Sequence, residues 1–177
     1  MISRHRPPRS GGFTLVELVI TMVLIGILSA VVANRIGAKG QHSVNVQADL
    51  LRRNLSHLQL LAISESVRLN LTVVSGGYTV SSCSASDCTG TVTDPATGAA
   101  FSVNVTANDD GSASGVTFTG GIGSYYFDSL GRPVVAATGG NLATLSSVFT
   151  LSGSGNCVLV TVLPITGFAT AANPYSC

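Results

Sequence analysis

Polar and apolar residues are sorted unevenly along this chain. Over residues 13–32 nearly every side chain is apolar (FTLVELVITMVLIGILSAVV), with a single acid, Glu17, near the start. As a helix this run covers about 20 residues and ~30 Å, enough to cross the hydrocarbon core of a bilayer. Arg35 ends it, and Gly37 and Gly40 follow. Two glycines three apart weaken a helix by about 1 kcal/mol each against Ala, which fits a bend, a local unwinding or a simple linker. A different pattern then begins. Val44, Ala48, Leu51, Leu55, Leu58 and Ala62 recur at alternating spacings of four and three, the mark of one helix face. Arg52, Arg53, Asn54 and Gln59 lie off that stripe. The two patterns together predict one interrupted helix from residue 13 to about residue 64.

Beyond Glu65 the period drops to two and turn residues multiply. Residues 68–74 (RLNLTVV) alternate as a strand, Ser75-Gly76-Gly77 turns, and residues 78–83 return, which makes a hairpin. Further strands are predicted at 101–105, 116–119, 125–128, 134–136, 148–152 and 158–163. Asp94-Pro95, the run Asn108 to Gly111 and the run Leu130 to Pro133 carry turn chemistry. The expected fold class is therefore α+β: a long N-terminal helix, half of it transmembrane, packed on an antiparallel β-sheet domain. The chain divides as residues 1–12, a leader; 13–35, the transmembrane helix; 36–65, its amphipathic continuation; and 66–177, a β-rich globular domain.

The leader changes the meaning of the apolar run. An ordinary secretory signal places its small-residue cleavage site after the apolar middle. Here the small pair Gly11-Gly12 precedes it. Cutting after Gly12 leaves the helix on the mature protein with Phe13 as its first residue. Arg4, Arg6 and Arg9 would hold the N-terminus in the cytoplasm, with everything beyond the helix outside it. Removing these three of the nine basic residues leaves six against eight acids, a net charge of −2. A mildly acidic mature chain has no general electrostatic attraction to nucleic acid. Its four cysteines, Cys83, Cys88, Cys157 and Cys177, all lie on the exported side, where an even count favours disulfides. Three pairings are possible. The pairing Cys83–Cys88 with Cys157–Cys177 is favoured, since it closes a tight Ser-Ala-Ser-Asp loop and ties down the C-terminal tail.

Glu17 is the anomaly, because an ionisable residue in an apolar span is costly and calls for a function. One reading is a helix-start acid that complements the macrodipole. The other is a partner for a positive charge, the α-amino group of Phe13 in a neighbouring copy, which exists only after cleavage. Within packed helices such a pair would set axial register, as buried polar groups do in coiled coils.

These residues resemble the N-terminus of type IV pilins and type II secretion pseudopilins: a short basic leader, Gly12-Phe13, the string Thr-Leu-Val-Glu-Leu and a long apolar run. The resemblance implies a prepilin peptidase that cuts after Gly12 and methylates Phe13, and an assembly role for Glu17. It implies a bacterial inner-membrane precursor with its C-terminal domain in the periplasm, later built into a pilus or a periplasmic pseudopilus. The implied partners are other pilins or pseudopilins, the prepilin peptidase and an inner-membrane assembly platform. Residues 125–133 (YYFDSLGRP) and the strand leading to Thr166-Gly167-Phe168 are similar to the globular part of GspH/FimT-type minor pilins and pseudopilins, and to one minor pilin of the mannose-sensitive haemagglutinin pilus.

Catalytic chemistry is not expected. His5 lies in the leader, and His42 and His57 stand fifteen residues apart with no Cys or acid at metal-ligand spacing. The chain has no G-x-S-x-G elbow, phosphate-binding glycine loop or HExxH motif. No enzyme activity, cofactor or metal is expected. Asp109-Asp110-Gly111 reads as a turn rather than a calcium loop. Gly131-Arg132 resembles a motif near which some FimT-like pilins bind DNA, but one arginine before Pro133, with no basic tail, reads better as a turn. The expected function is that of a minor pilin, a structural subunit of a type IV pilus. The alternatives are a GspH-like pseudopilin of a type II secretion system, or a DNA-uptake or adhesive minor pilin.

Overall fold

The stripe that begins at Val44 and ends at Ala62 forms the centre of the core. A computed structural model describes residues 14–36, 39–84, 87–95, 97–108, 113–138 and 140–177, and the side chains of all of these except 30–36 and 39–41. The chain divides into two compact units, Met1–Ala38 and Lys39–Cys177. The first holds helix α1, Leu15–Ile36. The second opens with helix α2, Lys39–Glu65. Whether the two helices are continuous depends on residues 37 and 38, Gly37 among them, which lie outside the described residues. Gly40 falls within α2.

All six stripe residues of α2 are buried, at no more than 1% exposure. They pack on two antiparallel sheets. The first contains β1 (Arg68–Val74), β2 (Gly77–Ser84), β3 (Asp87–Thr91), β4 (Ser102–Asn104), β6 (Gly123–Phe127) and β7 (Pro133–Val134). Its order is β3-β2-β1-β6-β7, with β4 also paired to β2. The second contains β5 (Thr117–Gly120), β8 (Ser147–Gly153), β9 (Asn156–Val162), β10 (Ala169–Ala171) and β11 (Tyr175–Ser176). Its order is β10-β9-β8-β5, with β11 also on β9. This is an α+β fold, with a helix packed on antiparallel sheets.

Alternation explains which faces meet. Leu69, Leu71 and Val73 on β1, and Val158, Val160 and Val162 on β9, point into one core with the α2 stripe. Two edge-to-face aromatic pairs join the sheets: Tyr125 of β6 on Phe149 of β8, with centroids 4.7 Å apart, and Tyr78 of β2 on Phe118 of β5, 6.2 Å apart. Each such contact adds about 0.5–1.5 kcal/mol beyond the area buried.

The observed strands differ from expectation in places that have physical causes. Strand β6 stops at Phe127 rather than Asp128, where the Asp128 main-chain N–H turns to the Arg132 carbonyl at 2.9 Å within the following loop. The strand expected over 134–136 shortens to Pro133–Val134, and its proline has no N–H to offer a neighbour. Strands β3, β10 and β11 were not expected. Only one of their residues, Ala169, is buried, so they lack the apolar alternation that marks a strand in sequence. Disulfides join Cys83 to Cys88 and Cys157 to Cys177. The first links β2 to β3. The second fastens the last residue beside β9, where the Cys177 N–H also donates to the Gly155 carbonyl at 3.2 Å.

Candidate functional site

Helix α1 starts at a cap. The Glu17 N–H donates to Thr14 Oγ1 at 3.3 Å and to the Thr14 carbonyl at 3.1 Å, and the Leu18 N–H reaches the same carbonyl at 3.2 Å. Thr14 thus takes up N–H groups that a helix start would leave bare. The spacing Thr14-x-x-Glu17 is that of a capping box. It places the Glu17 carboxyl at the third helical position, inside the positive end of the macrodipole. The macrodipole reading of Glu17 is therefore available to the isolated helix. The intermolecular reading concerns Phe13, which lies outside the described residues together with Gly12 and the leader.

Past the cap, α1 hides its few polar groups. Thr21 Oγ1 donates to the Leu18 carbonyl at 2.9 Å, and Ser29 Oγ to the Ile25 carbonyl at 2.7 Å. Both hydroxyls are satisfied within the helix, so neither asks for a partner in an apolar surrounding. The large apolar side chains from Leu15 to Leu28 are all at least 50% exposed. Consecutive residues are exposed, so the apolar surface runs round the whole helix rather than along one face. A helix of that kind requires cover from lipid or from other helices. Among the described residues, no helix is long and apolar enough to cross a membrane, and the described side chains of α1 end at Ser29.

A second polar centre sits at the loop after β6. Asp128 Oδ1 accepts from the N–H groups of Leu130 at 3.0 Å and Arg132 at 2.9 Å, and Oδ2 accepts from Arg132 Nε at 2.9 Å and Nη2 at 2.7 Å. Burial alone would raise the Asp128 pKa. The Arg132 guanidinium and the two backbone donors outweigh it and hold the carboxyl below its ordinary value. Gly131 supplies the left-handed backbone of this loop, with φ at 71°. Its carbonyl accepts from Gln59 Nε2 of α2 at 2.8 Å, and the same nitrogen donates to the Thr166 carbonyl at 2.9 Å. Gln59 therefore fastens two distant loops to one helix. Arg132 spends two of its nitrogens on Asp128, which gives Gly131-Arg132 a structural use as a loop closure.

The remaining chemical candidates stand apart. His42 is exposed, whereas His57 lies on the α2 side of the core with its ring edge-on to Phe101 at 6.2 Å. Among the described residues, no three of His, Cys, Asp or Glu gather where they could hold a metal. Asp109 and Asp110 lie outside the described residues. Two residues of consequence escape a reading of the sequence for chemistry. Thr14 has a signal, the T-x-x-E spacing. Gln59 has none, since its partners are 72 and 107 residues away.

Residues 7–33 match the family model for the prokaryotic N-terminal methylation motif. That motif is the type IV pilin signal, and it supports a pilin-like or pseudopilin subunit that is processed by prepilin peptidase and assembles with other pilins. The match spans the end of the leader and most of α1, and leaves the whole of α2 and the sheets outside it. No curated protein and no solved structure matches the chain.

Proposed function

We propose that this chain is a minor pilin: cleaved after Gly12, methylated at Phe13, and built into a type IV pilus through α1, with Glu17 guiding its insertion. Before assembly α1 would anchor the chain once in the bacterial inner membrane, with the leader arginines inside and the disulfide-bonded sheet domain in the periplasm. The observation that carries this reading is the pairing of a methylation motif with a helix whose apolar surface is exposed on all sides and whose one ionisable group among the described side chains is Glu17. Lipid covers such a helix first, and like helices cover it after assembly. Glu17 near the helix start is tolerable in the first setting because it lies near the interface. In the second setting it gains the positively charged N-methylated amine of Phe13 on a neighbouring subunit.

Replacing Glu17 with Val tests this role. The variant is expected to insert and to be cleaved as the parent is, yet to be missing from sheared filaments. Normal incorporation of the variant would remove Glu17 from assembly. The same motif serves pseudopilins, so recovery of the chain in a periplasmic filament and never in surface pili would favour a GspH-like secretion subunit instead.

A further inference from the structure

Strand β4 is paired on one side only. It meets β2 in a regular register, Gly77 with Asn104, Tyr78 with Val103 and Thr79 with Ser102. Hydrogen bonds continue this ladder at both ends: the Val80 N–H donates to the Phe101 carbonyl at 2.9 Å, and the Val105 N–H to the Gly76 carbonyl at 3.0 Å. Bonds in an antiparallel ladder fall on alternate residues. Phe101, Val103 and Val105 therefore face β2, and the main-chain N–H and C=O groups of Ser102 and Asn104 face away from it. Among the described residues no strand pairs with that second edge, and Ser102 and Asn104 are both exposed. The Asn104 side chain is held along its own chain, with Oδ1 accepting from the Thr106 N–H at 2.9 Å and hydroxyl at 2.6 Å.

Such an edge is a template for another chain, and native sheets guard it with charge, proline or a bulge. The other edges of this sheet are guarded. Strand β3 carries Asp87 and a register shift against β2, and β7 begins with Pro133. Strand β4, Ser-Val-Asn, has none of these devices. It is fronted instead by a groove of ≈ 420 Å³, which all three of its residues line and to which α2 contributes Leu50 and Asn54. The groove offers apolar surface, with Leu50 37% exposed and Val103 and Ala107 half-buried. Unpaired main-chain groups beside a slot for a side chain are the two parts of a strand-addition site: the first supplies affinity and the second specificity. No Lys, Arg or His is among the described residues that line the groove, so acidic side chains on an occupant would gain no partner there. We propose that β4 takes up an extended, uncharged peptide segment of another polypeptide as a further strand. The peptide main chain bonds to Ser102 and Asn104, and one apolar side chain rests on Leu50 and Ala107.

The full-length chain in detergent micelles, applied to an array of heptapeptides that alternate Thr with Val, Ile, Leu or Phe, tests the site. Retention on at least one peptide is expected, and titration with that peptide in solution should saturate. Amide exchange followed by NMR reads the edge itself. The Ser102 and Asn104 amides should exchange fast in the free chain and slow down when the peptide binds. Methylating every second backbone nitrogen of the peptide removes the donors of one edge only, so one methylated register should lose binding and the other keep it. Ser102→Pro deletes an N–H that the β2 ladder does not use, which an edge strand tolerates. Leu50→Lys removes apolar surface at an exposed position. Each variant is expected to keep its Tm and to weaken binding about tenfold or more. Retention of no alternating peptide, protection of the Ser102 and Asn104 amides already in the free chain, binding kept by both methylated registers, or parental binding by both variants would overturn the proposal. The groove belongs to the unit Lys39–Cys177, so the outcome is independent of processing at Phe13 and of Glu17.

Discussion

Asp128 and Arg132 close one loop from both ends: one carboxylate oxygen takes two guanidinium nitrogens, and the other takes two main-chain N–H groups. Removing the acid therefore unpairs backbone and side chain together. Asp128→Ala is expected to destabilise the fold by about 2–3 kcal/mol. Arg132→Ala should cost less, about 1 kcal/mol, because the arginine is 40% exposed in the pair and Asp128 keeps its two main-chain donors. Chemical denaturation of the three proteins checks the order.

The same contact predicts a pH dependence. The folded pKa of Asp128 is depressed below 3.8, so the stability it contributes is present above that value. It is lost as pH falls through the folded pKa. The stability difference between the parent and Asp128→Asn should be constant above about pH 5 and shrink in more acid solution. A difference that grows on acidification would contradict the assignment.

Gln59 and Gly167 are coupled through space. A Cβ on Gly167 would sit 2.1 Å from Gln59 Nε2, and Gly167 has φ at 69°. Gly167→Ala is expected to cost about 2–4 kcal/mol, from the clash and the left-handed backbone together. Gln59→Ala should cost about 1–2 kcal/mol through the two carbonyls it leaves. In the double variant the Gln59 contacts are gone, and the backbone strain and a 3.2 Å approach to the Gly131 carbonyl remain. The sum should therefore fall short of additivity by about 1 kcal/mol, which a double-mutant cycle measures.

The disulfides should differ in worth. Cys157–Cys177 spans 20 residues and Cys83–Cys88 spans 5. The chain-entropy model gives about 3 kcal/mol for the longer loop and about 2 for the shorter. Replacing each pair with serine and comparing denaturation midpoints under oxidising conditions tests the ranking.

Parts of this architecture are written locally in the chain and parts are not. The α2 stripe is legible because six core residues keep one helical phase from Val44 to Ala62. The β1–β2 hairpin is legible because Leu69, Leu71 and Val73 alternate and Ser75-Gly76 supplies the turn. Strands β10 and β11 are short, largely exposed and held by pairing to β9, so their signal lies in a partner rather than in themselves. Asp128 reads as a strand residue until the four hydrogen bonds of its carboxylate are seen. The Gln59 latch depends on loops that come together only in the folded chain. At the N-terminus the position is reversed. The leader, Phe13 and Glu17 are legible as a motif, while their use depends on an enzyme and on neighbouring subunits.

The central claim is that Phe13 becomes the methylated first residue of a filament subunit. Mass spectrometry of the chain recovered from purified filaments tests it most directly. The account predicts an N-terminal peptide that begins at Phe13 and carries one added methyl group, with both disulfides intact. A chain that keeps its leader, or begins elsewhere, or never enters a filament would contradict it.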